Sequence, residues 1–307
     1  MATSVMVLMG GWSSEREISL VSGRHITEAL ISAGYDVRTH NLRRDIPALI
    51  AALTPLPDVI FNALHGRFGE DGTVQGLLEL LGARYTHSGV LASALAMDKP
   101  MAKRLFMEAG IRCAEHIIAS REDALSGAVM DPPYVIKPLN QGSSVGVKVV
   151  LGSDEVHGAI EENDASLPNV VMVERYIQGR EITVAVMGER ALGVTELRPR
   201  KGFYDYSAKY TAGLADHLLP APIPEEAYDK AMRFSELAHK TLGCRGVTRA
   251  DLRYDDTRGE PGEVYLLEIN TQPGMTPMSL VPEAARHANI EFAQLVGWIV
   301  ENAACDE

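Results

Sequence analysis

Cysteine is scarce in this chain, and the three present (Cys113, Cys244 and Cys305) stand far apart. No C-x-x-C pair occurs, which argues against a zinc knuckle, and an odd, scattered set fits no disulfide framework. Such usage suits a reducing cytosol. The histidines include no H-x-x-x-H helical pair, so that metal-binding pattern is missing too. Basic charge is in deficit: 29 Lys and Arg face 41 Asp and Glu, a formal balance of −12. A chain this acidic repels polyphosphate backbones, so nucleic acid is not an expected partner. No apolar run approaches the ~20 residues that span a bilayer. The opening residues lack the basic start and small-residue cleavage site of a secretion signal. A soluble, cytoplasmic protein with no membrane partner is expected. No lysine directly follows a glycine, so the G-x-x-x-x-G-K-[ST] phosphate loop cannot occur. Internal repeats and low-complexity tracts are absent as well.

What is present is an ordinary globular composition, 46% hydrophobic and 23% charged over 307 residues. That length, at about 150 residues per domain, predicts two or three domains. Val5–Met9 reads as a strand running into Gly10 and Gly11. Ser14-Glu-Arg-Glu17 fits a capping box for a helix reaching about Ala33. Strands at Val37–His40 and Val59–Leu64 and a helix at Gly72–Leu81 follow, so an open, largely parallel α/β sheet is expected over residues 1–97. Ligands in such sheets sit beyond the carboxyl ends of strands, which nominates the loops Gly10–Glu17 and His65–Gly72. From Asp98 the character changes. A helix at Met101–Ala109, strands at Tyr134–Lys137, Val147–Val150 and Val170–Ile177, and an acidic helix at Ser153–Asn163 suggest a small α+β unit over 98–180. The remaining segment, 181–307, opens with Glu181–Met187 and holds helices at Glu225–Leu242 and Phe292–Asn302.

The most specific chemistry lies between Arg249 and Met275. Alternate side chains of a strand share a face, so Arg249 pairs with Asp251 and Glu268 with Asn270. The intervening Asp255–Gly262 is rich in turn residues, so the two runs read as a hairpin. Closure about Gly259 and Glu260 sets Asp251 opposite Glu268 and Arg249 opposite Asn270. Two carboxylates and an amide oxygen beside an arginine make a hard-oxygen site for Mg²⁺ carrying a phosphate ester. A solvated hairpin face with ordinary charges is the competing reading. It conflicts with Leu266, Leu267 and Ile269, which mark a buried strand where spare carboxylates are costly. Gly142-Ser143-Ser144-Val145-Gly146 offers successive backbone N–H groups and two hydroxyls as an anion nest, with Lys137 on the preceding strand able to reach the same phosphates.

Lys137-Pro with Gly-Ser-Ser-Val-Gly, Glu174-x-x-Ile177, Arg249-x-Asp251 and Glu268-x-Asn270-Thr-x-Pro-Gly-Met together resemble the ATP-grasp superfamily. More closely, the chain is similar to the D-alanine–D-alanine ligase family along essentially its whole length. Leu8–Glu17, Leu64–Gly76, Ser88–Lys99 and Phe203–Tyr210 carry that resemblance. It implies an ATP-grasp fold preceded by an open parallel α/β domain. It also implies ATP-dependent joining of two D-alanine molecules through a D-alanyl phosphate, for peptidoglycan precursor synthesis, by a homodimer.

The resemblance assigns Glu268 as a bridge between two Mg²⁺ ions, with Mn²⁺ an acceptable substitute and Asp251 and Asn270 completing the set. Arg249 and the Gly274 amide would face the developing oxyanion. Lys99 and Lys137 would hold phosphates, Ser143 and Ser144 the glycine-loop contact, Glu174, Arg175, Tyr176 and Ile177 the adenine, and Glu181 the ribose. Here Arg175-Tyr176 departs from the lysine and tryptophan frequent in the family. Glu15 would pair with the first D-alanine's ammonium, though a carboxylate there also suits the positive end of a helix. His65 and Glu70 would line that substrate's site. Ser279 and the Leu280 amide would hold the second D-alanine's carboxylate, which fits the helix start that Pro282 suggests. Phe203–Tyr210 would be a lid, with Lys209 reaching the transferred phosphate and Tyr210 bonding Ser143 and Glu15. Two rivals stay open: another ATP-grasp carboxylate–amine or D-alanine–D-lactate ligase, and a nucleotide-binding regulator that has lost catalysis. Intact Arg249, Asp251, Glu268 and Asn270 weigh against the regulator.

Overall fold

The computed structural model describes residues 2–142, 146–152, 167–200 and 215–306. The expected helix Ser153–Asn163, Ser143, Ser144 and the Phe203–Tyr210 segment with Lys209 and Tyr210 lie outside the described residues.

The described residues form three sheets. The first is parallel, in the order β2 (Asp36–Leu42), β1 (Ser4–Gly10), β3 (Val59–Asn62). β1 is apolar on both faces because both are covered, as parallel strands require. Val5 and Val7 meet α1 (Arg16–Ser32) through Ile26 and Leu30. Met6 and Leu8 face the opposite way, towards α2 (Ile46–Ala52) and α3 (Thr73–Leu80) through Leu49 and Leu78. The chain's last two helices, Leu280–His287 and Phe292–Glu301, return to this sheet and add Val281, Leu295, Val296 and Ile299 to its core.

The anticipated capping box at Ser14 and Glu17 is not formed. α1 starts at Arg16 with Glu15 at its boundary and no side-chain cap. Ser13 is the local organiser: its hydroxyl accepts from the Glu15 amide at 3.2 Å and donates to the His65 carbonyl at 2.6 Å. The N-terminus of α1 is therefore tied to the other candidate loop.

After α4 (Val90–Met97), α5 (Lys99–Glu108) begins two residues earlier than the apolar spacing suggests, because the Asp98 carboxylate accepts from the Met101 amide at 3.1 Å. A four-stranded sheet then runs β4 (His116–Ser120), β7 (Val170–Arg175), β5 (Tyr134–Pro138), β6 (Lys148–Val150). Tyr134, Ile136, Val171 and Val173 pack on one face, together with Ala124 of α6 (Arg121–Ser126). Alternation turns Lys137 and Glu174 to the other face.

The third sheet is antiparallel, in the order β10 (Ala215–Leu218), β9 (Arg190–Pro199), β8 (Arg180–Met187), β11 (Val247–Asp255), β12 (Glu263–Asn270). The helix Glu225–Thr241 lies on it through Ala227, Ala231 and Ala238, and α5 contributes Ala102 and Phe106 to the same core. β9 and β10 escaped the sequence reading. Gly193 interrupts the apolar run of β9, and β10 is a short, half-buried edge.

Candidate active site

Pairing of β11 with β12 sets Arg249 opposite Asn270 and Asp251 opposite Glu268. Directly opposed residues of an antiparallel pair project to the same side of the sheet, so the four polar side chains share one face. Towards the turn the register shifts by one, to Leu252 opposite Leu266, so Leu267 is the extra residue of a bulge. The irregularity falls beside the site and leaves the polar end of the hairpin in the anticipated alignment.

Arg249 grips Asp251 with two hydrogen bonds, Nε to Oδ1 at 2.8 Å and Nη2 to Oδ2 at 2.7 Å. Such a fork is the stronger form of carboxylate–guanidinium contact. The Thr183 hydroxyl, on β8, also lies 2.9 Å from Asp251 Oδ1. Structural support of Asp251 by Arg249 is therefore real, and Thr183 shares in it. Asn270 Oδ1 accepts the Gln272 amide at 2.8 Å. Lys99, the first residue of α5, stands 3.2 Å from Glu268 Oε2 and donates to the Gln141 carbonyl at 2.7 Å. One lysine thus links the hairpin to the start of the glycine-serine loop.

Glu15, His65, Glu70, Lys99, Gly142, Arg249, Glu268, Asn270 and Gly274 line a single cavity of about 70 Å³. Glu15 also borders a wider cleft of about 820 Å³ with Trp12, Phe68 and Pro138–Gly142. Glu15 is buried, and a Cβ on Gly66 would fall 2.7 Å from its Oε2, so the left-handed glycine there (φ +72°) clears room for the carboxylate. A role limited to the helix dipole does not account for a carboxylate placed in this cavity. His65 is held from both ring nitrogens: Nδ1 is 3.1 Å from Glu70 Oε1 and Nε2 is 3.1 Å from the Ser22 hydroxyl. Gly274 lies against Ser279, whose Oγ sits 2.9 Å from the Thr276 amide. Leu280 opens the helix that follows, with Pro282 in its first turn.

The residues expected around the nucleotide are arranged less simply. Glu174 is 2% exposed, so it is not a solvated strand-end charge. Its Oε1 lies 2.5 Å from Lys103 Nζ, and its Oε2 pairs with Lys137 Nζ. Burial pushes the Glu174 carboxyl pKa up, but the Lys103 and Lys137 ammonium groups outweigh it and hold it below the usual range. Arg175 turns to the Asp131 carbonyl at 2.7 Å and towards Glu115. The Tyr176 ring lies under the Arg253 guanidinium, with 5.5 Å from Cζ to the ring centroid. Arg253 also donates to the Ile177 carbonyl at 3.1 Å and stands 3.7 Å from Glu181. One arginine therefore shapes the turn from Tyr176 to Glu181.

Among the described residues no three His, Cys, Asp or Glu side chains gather around a common point. A metal here depends on Asn270 joining the two carboxylates. That donor set fits Mg²⁺, which commonly takes one or two protein carboxylates and fills its octahedron with phosphate oxygens and water. The sequence reading overlooked Lys103, Thr183, Ser22 and Gln272. Gln272 Oε1 accepts from Asn62 Nδ2 at 2.7 Å and so joins the site loop to β3. None of these four carries a local signature, since each works through a partner distant in the chain.

Comparison with known proteins gives the family. Residues 105–301 match the family model described as D-ala D-ala ligase C-terminus, and residues 50–88 match D-ala D-ala ligase N-terminus. A D-alanine–D-alanine ligase from Parvibaculum lavamentivorans is 56% identical over 306 residues, covering 99% of both chains. One from Rhodospirillum rubrum is 54% identical over the full length of both. Among solved structures, the Bacillus anthracis D-alanine–D-alanine ligase complexed with ATP superposes with a TM-score of 0.82 at 32% identity, covering 98% of this chain and 97% of that one. The VanG D-Ala:D-Ser ligase of Enterococcus faecalis reaches 0.80 at 28%, covering 98% and 99%. No helix among the described residues is long and apolar enough to cross a membrane. With its ATP-grasp sheets, its hairpin of opposed polar residues and full-length relatives above one-half identity, this chain belongs to the D-alanine–D-alanine ligase family.

Proposed function

We propose that this enzyme joins two D-alanine molecules into D-alanyl-D-alanine, driven by ATP, to supply a peptidoglycan precursor. The observation that carries the reading is the shared cavity of Glu15, Arg249, Glu268, Asn270 and Gly274, with Lys99 reaching in from α5.

A carboxylate is a poor electrophile towards an amine in water. Transfer of a phosphoryl group to it gives an acyl phosphate with a good leaving group. The amine of the second substrate then attacks, and the tetrahedral oxyanion collapses to amide and phosphate. Glu15, buried beside Gly66, binds the ammonium of the first D-alanine and leaves its carboxylate directed at Arg249. His65, fixed between Glu70 and Ser22, forms a rigid wall of that subsite. Arg249 and the Gly274 amide face the oxyanion, a contribution typically ~3–4 kcal/mol for a fixed donor. Ser279 and the Leu280 amide, at a helix N-terminus, suit the carboxylate of the second D-alanine. Lys99 and Lys137 bind nucleotide phosphates. Asp251, Glu268 and Asn270 would hold Mg²⁺, which would neutralise charge on the phosphates. Lys209 and Tyr210, outside the described residues, are given the roles of reaching the transferred phosphate and keeping water from the acyl phosphate.

Phosphate release from ATP, measured with D-alanine, L-alanine, D-serine and D-lactate singly and in pairs, tests the reading. Release with D-alanine alone, accompanied by dipeptide, is expected. Equal release with L-alanine, or dependence on D-lactate or D-serine as acceptor, would overturn it.

A further inference from the structure

Lys103 stands on the nucleotide side, and none of the roles above uses it. It lies on α5, one turn after Lys99, and its side chain has no exposed surface. Burying a lysine completely is costly unless a carboxylate neutralises it. Glu174 does so, but Glu174 also carries Lys137 from the neighbouring strand. The array therefore holds two ammonium groups around one carboxylate, a net positive charge in a closed place. A further anion would balance it.

The two lysines are not equivalent. Lys137 and Glu174 are diagonal neighbours on the same face of paired β5 and β7, where Val135 opposes Glu174 and Lys137 opposes Met172. Lys137 keeps 11% of its side chain exposed, whereas Lys103 is sealed and also faces the Leu266 carbonyl of β12 at 3.5 Å. Only Lys137 can change partners without unpacking the core. If it leaves Glu174 for a phosphate, the carboxylate needs a second cation to remain charged and in position. Lys103 is that cation.

We propose that Lys103 is a positioning residue: it holds Glu174 as a fixed carboxylate, so that Lys137 can exchange Glu174 for a nucleotide phosphate and Glu174 Oε2 can accept an amino group of the base. This rests on the nucleotide role given to Lys137 and Glu174 above. Without Lys103, Lys137 becomes the sole partner of a buried carboxylate, and nucleotide binding must first break that pair.

The test uses Lys103→Met, Glu174→Gln and the double variant, with ADP titrated calorimetrically and ligation assayed with ATP and D-alanine. Lys103→Met is expected to raise the ADP Kd and the ATP KM about tenfold or more, with kcat at saturating ATP within about threefold. An ADP Kd within twofold of wild type, with only a lower Tm, would reduce Lys103 to a packing residue and overturn the proposal. The double variant keeps the test decisive if Lys103→Met alone does not fold. If Lys103 acts through Glu174, the double variant matches Glu174→Gln in ADP Kd within about twofold. A further loss of fivefold or more means that Lys103 acts on its own, which also overturns it. Wild-type protein that binds ADP but makes no dipeptide would refute the substrate assignment and leave this inference standing. Wild-type ligation with unchanged ADP binding in Lys103→Met would do the reverse.

Discussion

Glu268 and Glu174 both pair with lysine, yet they stand in opposite surroundings. Glu268, with Lys99 at 3.2 Å, keeps 28% of its side chain exposed and borders the cavity. Glu174, with Lys103 and Lys137, is closed off on every side. At Glu268 water reaches the carboxylate, while Lys99 is itself buried and keeps the Gln141 carbonyl as a second partner. At Glu174 no solvent replaces a lost partner, and any exchange has to leave one cation behind. The first acid is suited to chemistry, and the second to holding other groups in place. Arg249 and Asp251 fall between them, partly buried and forked together, with Thr183 as additional support.

That contrast can be broken experimentally, beginning with the largest effect. Glu268→Ala should abolish phosphate release, by about a thousandfold or more if the carboxylate supports metal and phosphate charge as argued. Its thermal midpoint should shift less than that of Glu174→Ala, because Glu268 keeps 28% of its side chain exposed and Lys99 keeps its bond to the Gln141 carbonyl. Near-normal turnover in that variant would remove Glu268 from the chemistry. Glu174→Ala should show the reverse emphasis, with a loss of about 3–5 kcal/mol in urea unfolding from two buried cations left without their carboxylate. A loss under about 1 kcal/mol would mean that water reaches the array and that the contrast is false.

A smaller effect extends the comparison to a buried base. His87 packs edge-on against Phe61, and burial, with a minor contribution from nearby His65, depresses its pKa to about 3. A base depressed in the folded state takes its proton first in the unfolded chain. Its stability contribution is therefore complete above about pH 6.5 and falls as pH drops from there towards 3. Between pH 7 and 5.5, wild type should lose about 1 kcal/mol more than His87→Asn, a substitution that tolerates the left-handed backbone at this position. Identical slopes in parallel urea titrations would show that His87 reaches solvent.

Much of the candidate site was legible because its signals are local. The i, i+2 spacing of Arg249 with Asp251 and of Glu268 with Asn270 decides which side chains share a face, and the turn-rich break decides that the strands pair. The bulge at Leu267 was not legible, since period-two alternation says nothing about where an extra residue is absorbed. Ser14 and Glu17 had the pattern of a capping box, yet Ser13 and the His65 carbonyl organise that turn. A contact across 52 residues outcompeted a local motif. Lys103 reads in isolation as one more solvated helix charge, and only the packing of α5 between two sheets shows otherwise.

The amino-acid sequence by itself determined the chemical inventory: hard oxygen donors at strand spacing, a Gly-Ser-Ser-Val-Gly run in place of G-K-[ST], and a parallel sheet. Tertiary structure decided what each charge experiences, because dielectric and partner come from segments far along the chain. It closed Lys103 and Glu174 away from water, left Glu268 at the edge of a cavity, and brought the last two helices back over the first sheet.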